Sequence, residues 1–193
     1  MTDDFPPETT AEEADDMFIA GRVAAGERDL FRYLINRHQK AVYSMGRSFF
    51  RNHEDSADFV QEVFLKVYRS LSRFEGRSRF STWLYSIAYN TAVNEVNRRK
   101  EYLSLAEGDV MVDGDTPERK LVRDTARDAV LEAVGELPER YRVCVDMYFF
   151  YDRSYQEIGT ITGFPVNTIK SHVFRAKKLL RERLKEIAQG GIE

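Results

Sequence analysis

Apolar side chains in residues 17–100 and 118–188 return every three or four positions and do not sustain a one-by-one alternation. That period belongs to the α-helix, which brings a side chain back to the same face about every 3.6 residues. A half-buried strand needs period two, which no stretch keeps. The helical period breaks at residues 101–117, EYLSLAEGDVMVDGDTP, where glycines, a proline and acidic residues cluster. The fold expected is therefore all-α: two small helical domains, 17–100 and 118–188, joined by a flexible linker at 101–117. Residues 1–16 contain Pro6, Pro7 and seven acidic side chains with no basic one. They are expected to form a disordered acidic tail. The second domain is small enough to bury only ~60% of its unfolded surface, so marginal stability is expected of it.

A net charge of −3 argues against a nucleic-acid binder. Its distribution argues the other way. Residues 69–100 carry seven basic and two acidic side chains, and residues 166–185 carry seven basic and one acidic. Acidic segments, 1–16 and 101–120, precede each of them. This sign asymmetry points to two basic surfaces. The single cysteine, Cys144, lies in the apolar run YRVCVDMYFF and is expected to be a small buried residue. There is no window of ~20 apolar residues and no apolar signal segment, so a cytoplasmic chain without membrane insertion is expected. The three histidines, His38, His53 and His172, are scattered. No H-x-x-x-H, C-x-x-C or nucleophile–base pair occurs, so no catalytic residue, metal site or cofactor is expected. A G-x-x-x-x-G-K-[ST] phosphate loop is absent as well.

Three stretches carry more than packing. In DFVQEVFLKVYRSL, residues 58–71, Val60, Val63, Phe64, Val67 and Leu71 make one apolar stripe for a core. Roughly 200° around the helix, Asp58, Gln61, Glu62, Leu65 and Arg69 repeat the same spacing. That second stripe is either a solvated face with one exposed leucine or a docking face with Leu65 as its apolar anchor.

In RFEGRSRFSTWLYSIAYNTAVNEVNRRK, residues 73–100, Ser81 is placed to cap a helix starting at Thr82. Leu84, Ile87, Ala88, Thr91 and Ala92 would then face inward. Trp83, Ser86, Asn90, Asn94 and Asn97 share another face. Asparagine is a poor helix former, so three on one face are not there for propensity, and their amides suit base edges or phosphates. Arg77 and Arg79 precede this helix, and Arg98, Arg99 and Lys100 follow its asparagines. An exposed Trp83 would stack an unpaired base, for ~1–3 kcal/mol. A Trp83 packed in the core is the competing reading, and a half-exposed ring serves both.

Residues 154–184, SYQEIGTITGFPVNTIKSHVFRAKKLLRERL, read as a helix–turn–helix. Ser154 and Glu157 form an S-x-x-E capping box. Tyr155, Ile158 and Ile161 face inward, Gly159 admits a close helix approach, and Gly163 supplies the tight turn. In the second helix, starting near Pro165, Ile169, Val173, Ala176 and Leu180 face inward. Asn167, Lys170, Ser171, Phe174, Arg175 and Lys178 face outward, where Arg175 suits guanine and Asn167 adenine. A plain basic helix in a three-helix bundle is the alternative.

These motifs in this order, D-x-V-Q-E, F-S-T-W-L-Y and S-Y-Q-E-I-G followed by G-F-P-V-N-T and F-R-A, resemble the extracytoplasmic-function (ECF) group of bacterial RNA polymerase sigma factors. The resemblance covers about residues 17–187. It implies that residues 17–100 are the family's region 2 and residues 118–188 its region 4. It implies that Asp58, Gln61, Glu62 and Leu65 meet the β′ clamp helices of the polymerase core, with the β flap a second polymerase contact. Arg77, Arg79, Trp83, Tyr85, Asn90, Asn94 and Arg98 would lie at the melted −10 element. Asn167, Thr168, Lys170, Ser171, His172, Arg175 and Lys178 would read the −35 element. His172 stands where many relatives have arginine, and a neutral imidazole offers less charge to DNA. An anti-sigma factor is a further partner implied by the family. A linker of 17 residues would span at most ~56–61 Å. Two DNA boxes two turns apart lie ~70 Å from one another, so the domains' own widths must supply the rest. The reading set against this one is a stand-alone helix–turn–helix regulator that binds DNA as a dimer.

Overall fold

The structure is a computed structural model that describes residues 11–50, 52–105 and 126–190. Of the expected linker at 101–117, residues 101–105 are helical and end α4, because no proline or glycine interrupts them; residues 106–117, like the first ten residues, lie outside the described ones. The first domain contains α1 (Ala11–Ala24), α2 (Phe31–Phe50), α3 (His53–Ser70) and α4 (Phe80–Leu105), with short 3-10 turns at Arg28–Leu30 and Leu71–Arg73. The second contains α5 (Ala126–Glu136), α6 (Glu139–Val145), α7 (Tyr155–Thr162) and α8 (Val166–Gly190). A π-turn at Asp146–Phe150 extends α6. No strand occurs among the described residues.

The helices start where local chemistry says they should. Asn52 caps α3, its side-chain oxygen accepting from the Asp55 amide at 2.8 Å. Glu54 and Asp55 then place negative charge at the positive end of the helix dipole. Pro138 precedes α6, and Pro165 accepts from the Thr168 and Ile169 amides at 2.9 and 3.1 Å. Both prolines sit where no amide proton is missed.

α2 crosses α3 at Gly46, where an added Cβ would lie 2.8 Å from Phe59 Cδ1 and 3.3 Å from Ser56 Cα. Only glycine fits a crossing this close. The crossing also turns α3, so that Ser56, Phe59, Val63, Phe64 and Val67 are buried. Val60, expected in the inward stripe, is only partly buried beside Phe59.

The first helix begins at Ala11, so the last part of the expected tail is helical. Asp16 is 1% exposed, where the sequence suggested a solvated acid. Burying a carboxylate is costly unless it is paired. Asp16 accepts from the Arg37 guanidinium and lies 2.7 Å from His38 Nε2, while Arg37 also pairs with Asp15 at 2.8 Å. This network holds α1 on α2.

Residues from both domains join one hydrophobic core. Phe59, Leu84 and Tyr85 belong to the same cluster as Met147, Tyr151, Ile158 and Ile169. α4 packs on α7 and α2 on α6. The small second domain therefore completes its burial against the first. At the seam, Ser48 of α2 donates to the buried carboxylate of Asp146, the first residue of the π-turn.

Candidate polymerase and nucleic-acid interfaces

On α3 the second stripe is open. Asp58, Gln61, Glu62, Leu65 and Arg69 are all exposed, Leu65 at 56%. Tyr68 is 39% exposed one turn after Leu65 and widens the apolar centre. Glu62 pairs with Lys66 at 2.7 Å along the helix. An exposed leucine and tyrosine inside a charged rim have the composition of a protein-docking face.

The loop 74–79 and the start of α4 form the second surface. α4 begins at Phe80, two residues earlier than expected, and the Arg79 carbonyl accepts from the Trp83 amide at 3.1 Å. Ser81 therefore lies inside the helix, buried, and does not cap it. The Trp83 ring is half-buried, 5.0 Å from Phe74 and 5.9 Å from Phe80. It packs against the core and keeps part of its surface open. Gly76 holds φ +70 at the tip of the loop, beside the exposed Arg77. Asn90, Asn94 and Arg98 are exposed along α4, with Arg98 paired to Glu95 at 2.5 Å. Arg99 has a structural use. It bridges Asp55 at 2.7 Å and Glu95 at 2.8 Å and lies over the Phe50 ring. Its hydrogen bond, with that of Asn52, holds the Asp55 carboxyl down at about 2.

Tyr85 and Arg79 do not face solvent together with Asn90. Tyr85 is 4% exposed, its ring 5.6 Å from Tyr151 of the second domain. Arg79 lies 3.7 Å from Glu157 of α7.

The helix–turn–helix is formed as its sequence implies. Glu157 and Ser154 close a reciprocal capping box, and Gly163 ends α7 in the left-handed region at φ +75. An added Cβ at Gly159 would stand 3.2 Å from the Phe164 carbonyl oxygen, so the turn before α8 lies tight against this glycine. Ile169, Val173 and Ala176 are buried. Asn167, Lys170, Ser171, Arg175 and Lys178 are exposed and Thr168 partly so, which gives α8 an open polar and basic face. Phe174 is 71% exposed within it.

His172 differs from its neighbours. Its ring packs 5.1 Å from Tyr141 and 5.7 Å from Phe164, with Nδ1 3.7 Å from Cys144 Sγ. Burial, and then Arg140 and Arg175, push its pKa down, so the ring is neutral and packs against the domain. Cys144 is fully buried, and burial alone pushes its thiol up to about 12.

Two features were not legible in the sequence. The run YRVCVDMYFF looked uniformly apolar, yet Phe149 and Phe150 are about half exposed, and Lys177 lies 4.9 Å over the Phe149 ring. The second is the contact of Arg153 and Glu157 with α4. A capping box identifies Glu157, but nothing local says that a second helix shares its carboxylate.

Comparison with known proteins identifies the two domains. Residues 34–102 match the family Sigma-70 region 2, and residues 127–180 match Sigma-70, region 4. The chain is 33% identical over 189 residues to the ECF RNA polymerase sigma-E factor of Haemophilus influenzae, covering 92% of this chain and 99% of that protein. It is 32% identical over 183 residues to the RNA polymerase sigma-H factor of Pseudomonas aeruginosa, covering 89% and 95%. Among solved structures, the sigma factor RpoE of Bartonella quintana, in complex with the anti-sigma factor NepR, shares the fold. Its TM-score is 0.70 at 23% identity, over 80% of this chain and 96% of that one. CnrH, in complex with the cytosolic domain of CnrY, gives a TM-score of 0.65 at 24% identity, over 88% and 96%. Both halves of the chain, and their order, are thus those of a single lineage: the chain belongs to the ECF group of sigma-70 RNA polymerase sigma factors.

Proposed function

We propose that this chain binds the RNA polymerase core, directs it to specific promoters and promotes DNA melting there. Asp58, Gln61, Glu62 and Leu65 dock on the β′ clamp helices, and the second domain meets the β flap. α8 enters the major groove of the −35 element through Asn167, Thr168, Lys170, Ser171, Arg175 and Lys178. The packing of His172 against Tyr141 gives it the role of orienting α8. Loop 74–79 and α4 take the separated strand of the −10 element, with Trp83 stacking and Arg77, Arg79, Asn90, Asn94 and Arg98 holding backbone and bases. Tyr85 joins them once the second domain has moved away. Unpairing costs a few kcal/mol per base, so stacking and pocket contacts must supply it together with the polymerase.

One observation carries this reading. A single chain bears an exposed acidic stripe around Leu65, an aromatic platform at Trp83, and a formed helix–turn–helix with an open basic face. A regulator that binds DNA alone has no use for the first two. Control by an anti-sigma factor is supported by the structural neighbours, one solved with the anti-sigma factor NepR and another with the cytosolic domain of CnrY. No helix among the described residues is long and apolar enough to cross a membrane, which is compatible with action in the cytoplasm beside the polymerase.

The test is transcription in vitro, with sigma-free core polymerase, this protein and a pool of genomic fragments. Discrete transcripts that require the protein are expected, and their upstream sequences give both boxes. Absence of transcripts and of core binding, with tight DNA binding by the protein alone, would overturn the proposal.

A further inference from the structure

α1 bears on loop 74–79 at two points. The first is Met17. An added Cβ at Gly76, the left-handed tip of the loop, would stand 3.1 Å from Met17 Cε, so the methionine methyl lies against the backbone of the tip. The second is Asp16. Its carboxylate meets His38 Nε2 at 2.7 Å, and the His38 ring lies 5.5 Å from Phe80, the first residue of α4. Phe80 is fully buried and lies 5.8 Å from Phe74, at the start of the loop, and 5.9 Å from Trp83. Phe74 and Trp83 are 5.0 Å apart.

Neighbouring residues of a helix point about 100° apart around its axis, so one helix can send Asp16 toward α2 and Met17 toward the loop. α1 is itself well anchored. Ile19, Ala20 and Val23 are buried in the core, and Arg37 pairs with both Asp15 and Asp16. This hold has a use. A loop that takes an unpaired base is either ordered beforehand or bears the cost of ordering when it binds. Gly76 is the residue with most backbone freedom in the loop, and the Met17 methyl fills the space into which its backbone would move. A methionine suits such a place, because its unbranched thioether adapts to an irregular gap.

We infer that α1 is a brace for loop 74–79, with Met17 and Asp16 as positioning residues. Met17 acts through Gly76, and Asp16 acts through His38 and Phe80 on Trp83. Their hold raises the affinity of the loop for the separated −10 strand. The inference rests on the reading above that this loop and Trp83 take that strand. The stripe around Leu65 and the basic face of α8 are built by other helices, so a loosened brace should spare polymerase docking and the −35 contact.

The chain has one tryptophan, Trp83, so the fluorescence of the free full-length protein reports this place alone. Met17→Ala removes the methyl from beside Gly76. Met17→Leu keeps most of its volume and serves as the rescue. Asp16→Asn, the second variant, removes the carboxylate charge with little change of shape. Circular dichroism and thermal melting establish that each variant is folded. The free chains are compared for acrylamide quenching of Trp83. Their complexes with core polymerase are compared for binding to a fluorescent single strand carrying the −10 box and to a duplex carrying only the −35 box, both taken from the transcripts of the assay above. For Met17→Ala the expected result is stronger quenching, binding of the single strand weaker by about tenfold, the scale of one lost base stack, and unchanged binding of the duplex. Asp16→Asn should move both readouts the same way, and Met17→Leu should restore the parent values. Unchanged quenching in both Met17→Ala and Asp16→Asn overturns the brace. Stronger quenching with unchanged strand affinity overturns its link to DNA. Equal losses on the two probes overturn the positioning role and leave a general stabilising one. A parent complex that binds no single strand overturns the promoter reading and the affinity claim with it, while quenching still decides whether α1 braces the loop.

Discussion

Asp146 offers a direct test of how the two domains fit together. It is 7% exposed, accepts from Ser48 of the other domain, and is raised from 3.8 to about 6. Burial is the main cause, opposed by the Ser48 bond and by the Arg142 charge. The folded chain therefore holds this proton more tightly than the unfolded chain does. Its stabilising contribution is complete below about pH 4 and is lost as pH rises to about 6. Above that the buried anion costs about 3 kcal/mol relative to an ordinary carboxyl, at 1.36 kcal/mol per pH unit. Asp146→Asn is neutral at every pH and its amide can still meet the Ser48 hydroxyl. It should be more stable than the parent at pH 8 by ~2–3 kcal/mol, a rise in melting temperature of about 5–10 °C. At pH 4 the two proteins should melt together. Calorimetry at pH 4, 6 and 8 measures this. A variant no more stable than the parent at pH 8, or a gain equal at pH 4 and pH 8, would refute the buried-anion argument.

Three further outcomes are expected. Asp16→Ala should destabilise the chain to urea by ~3 kcal/mol, the low end for a broken buried pair, because Arg37 keeps Asp15 as a partner. Gly159→Ala should cost ~1–3 kcal/mol in the same assay, since the Phe164 backbone that its methyl would press cannot rotate away as a side chain can. Leu65→Asp should weaken binding to core polymerase about tenfold, measured by fluorescence anisotropy, while leaving the melting temperature unchanged, because the side chain is exposed and packs on nothing that folding needs.

Helix positions and faces follow from local rules, which is why they were readable. The capping box at Ser154, the left-handed turn at Gly163 and the buried stripe of Ile169, Val173 and Ala176 depend on residues a few positions apart. The exposed stripe around Leu65 follows from the same periodicity. Errors arose where a contact partner is far along the chain. Ser81 has the chemistry of a cap, but Arg153, 72 positions later, donates to its hydroxyl, and the helix begins two residues earlier. Asp16 has the chemistry of a tail residue until Arg37 and His38 enclose it. The family resemblance, and not its spacing, assigns His172 to the −35 element, and its ring packs against Tyr141 and Phe164.

The amino-acid order alone settles that this chain is helical, that it has a second, polar stripe around Leu65 and a helix–turn–helix, and which family its motifs resemble. These depend on period, caps and turn residues, whose energies are local. Whether the two halves stand apart or together is a different kind of question. It turns on whether Glu157 finds Arg79 and Thr82, whether Asp146 finds Ser48, and whether Tyr85 is buried on Tyr151. Each of those pairs is separated by more than 60 residues, so neither spacing nor composition encodes it. Only the tertiary structure brings the side chains within reach, and there the second domain gains the core that its own size could not supply.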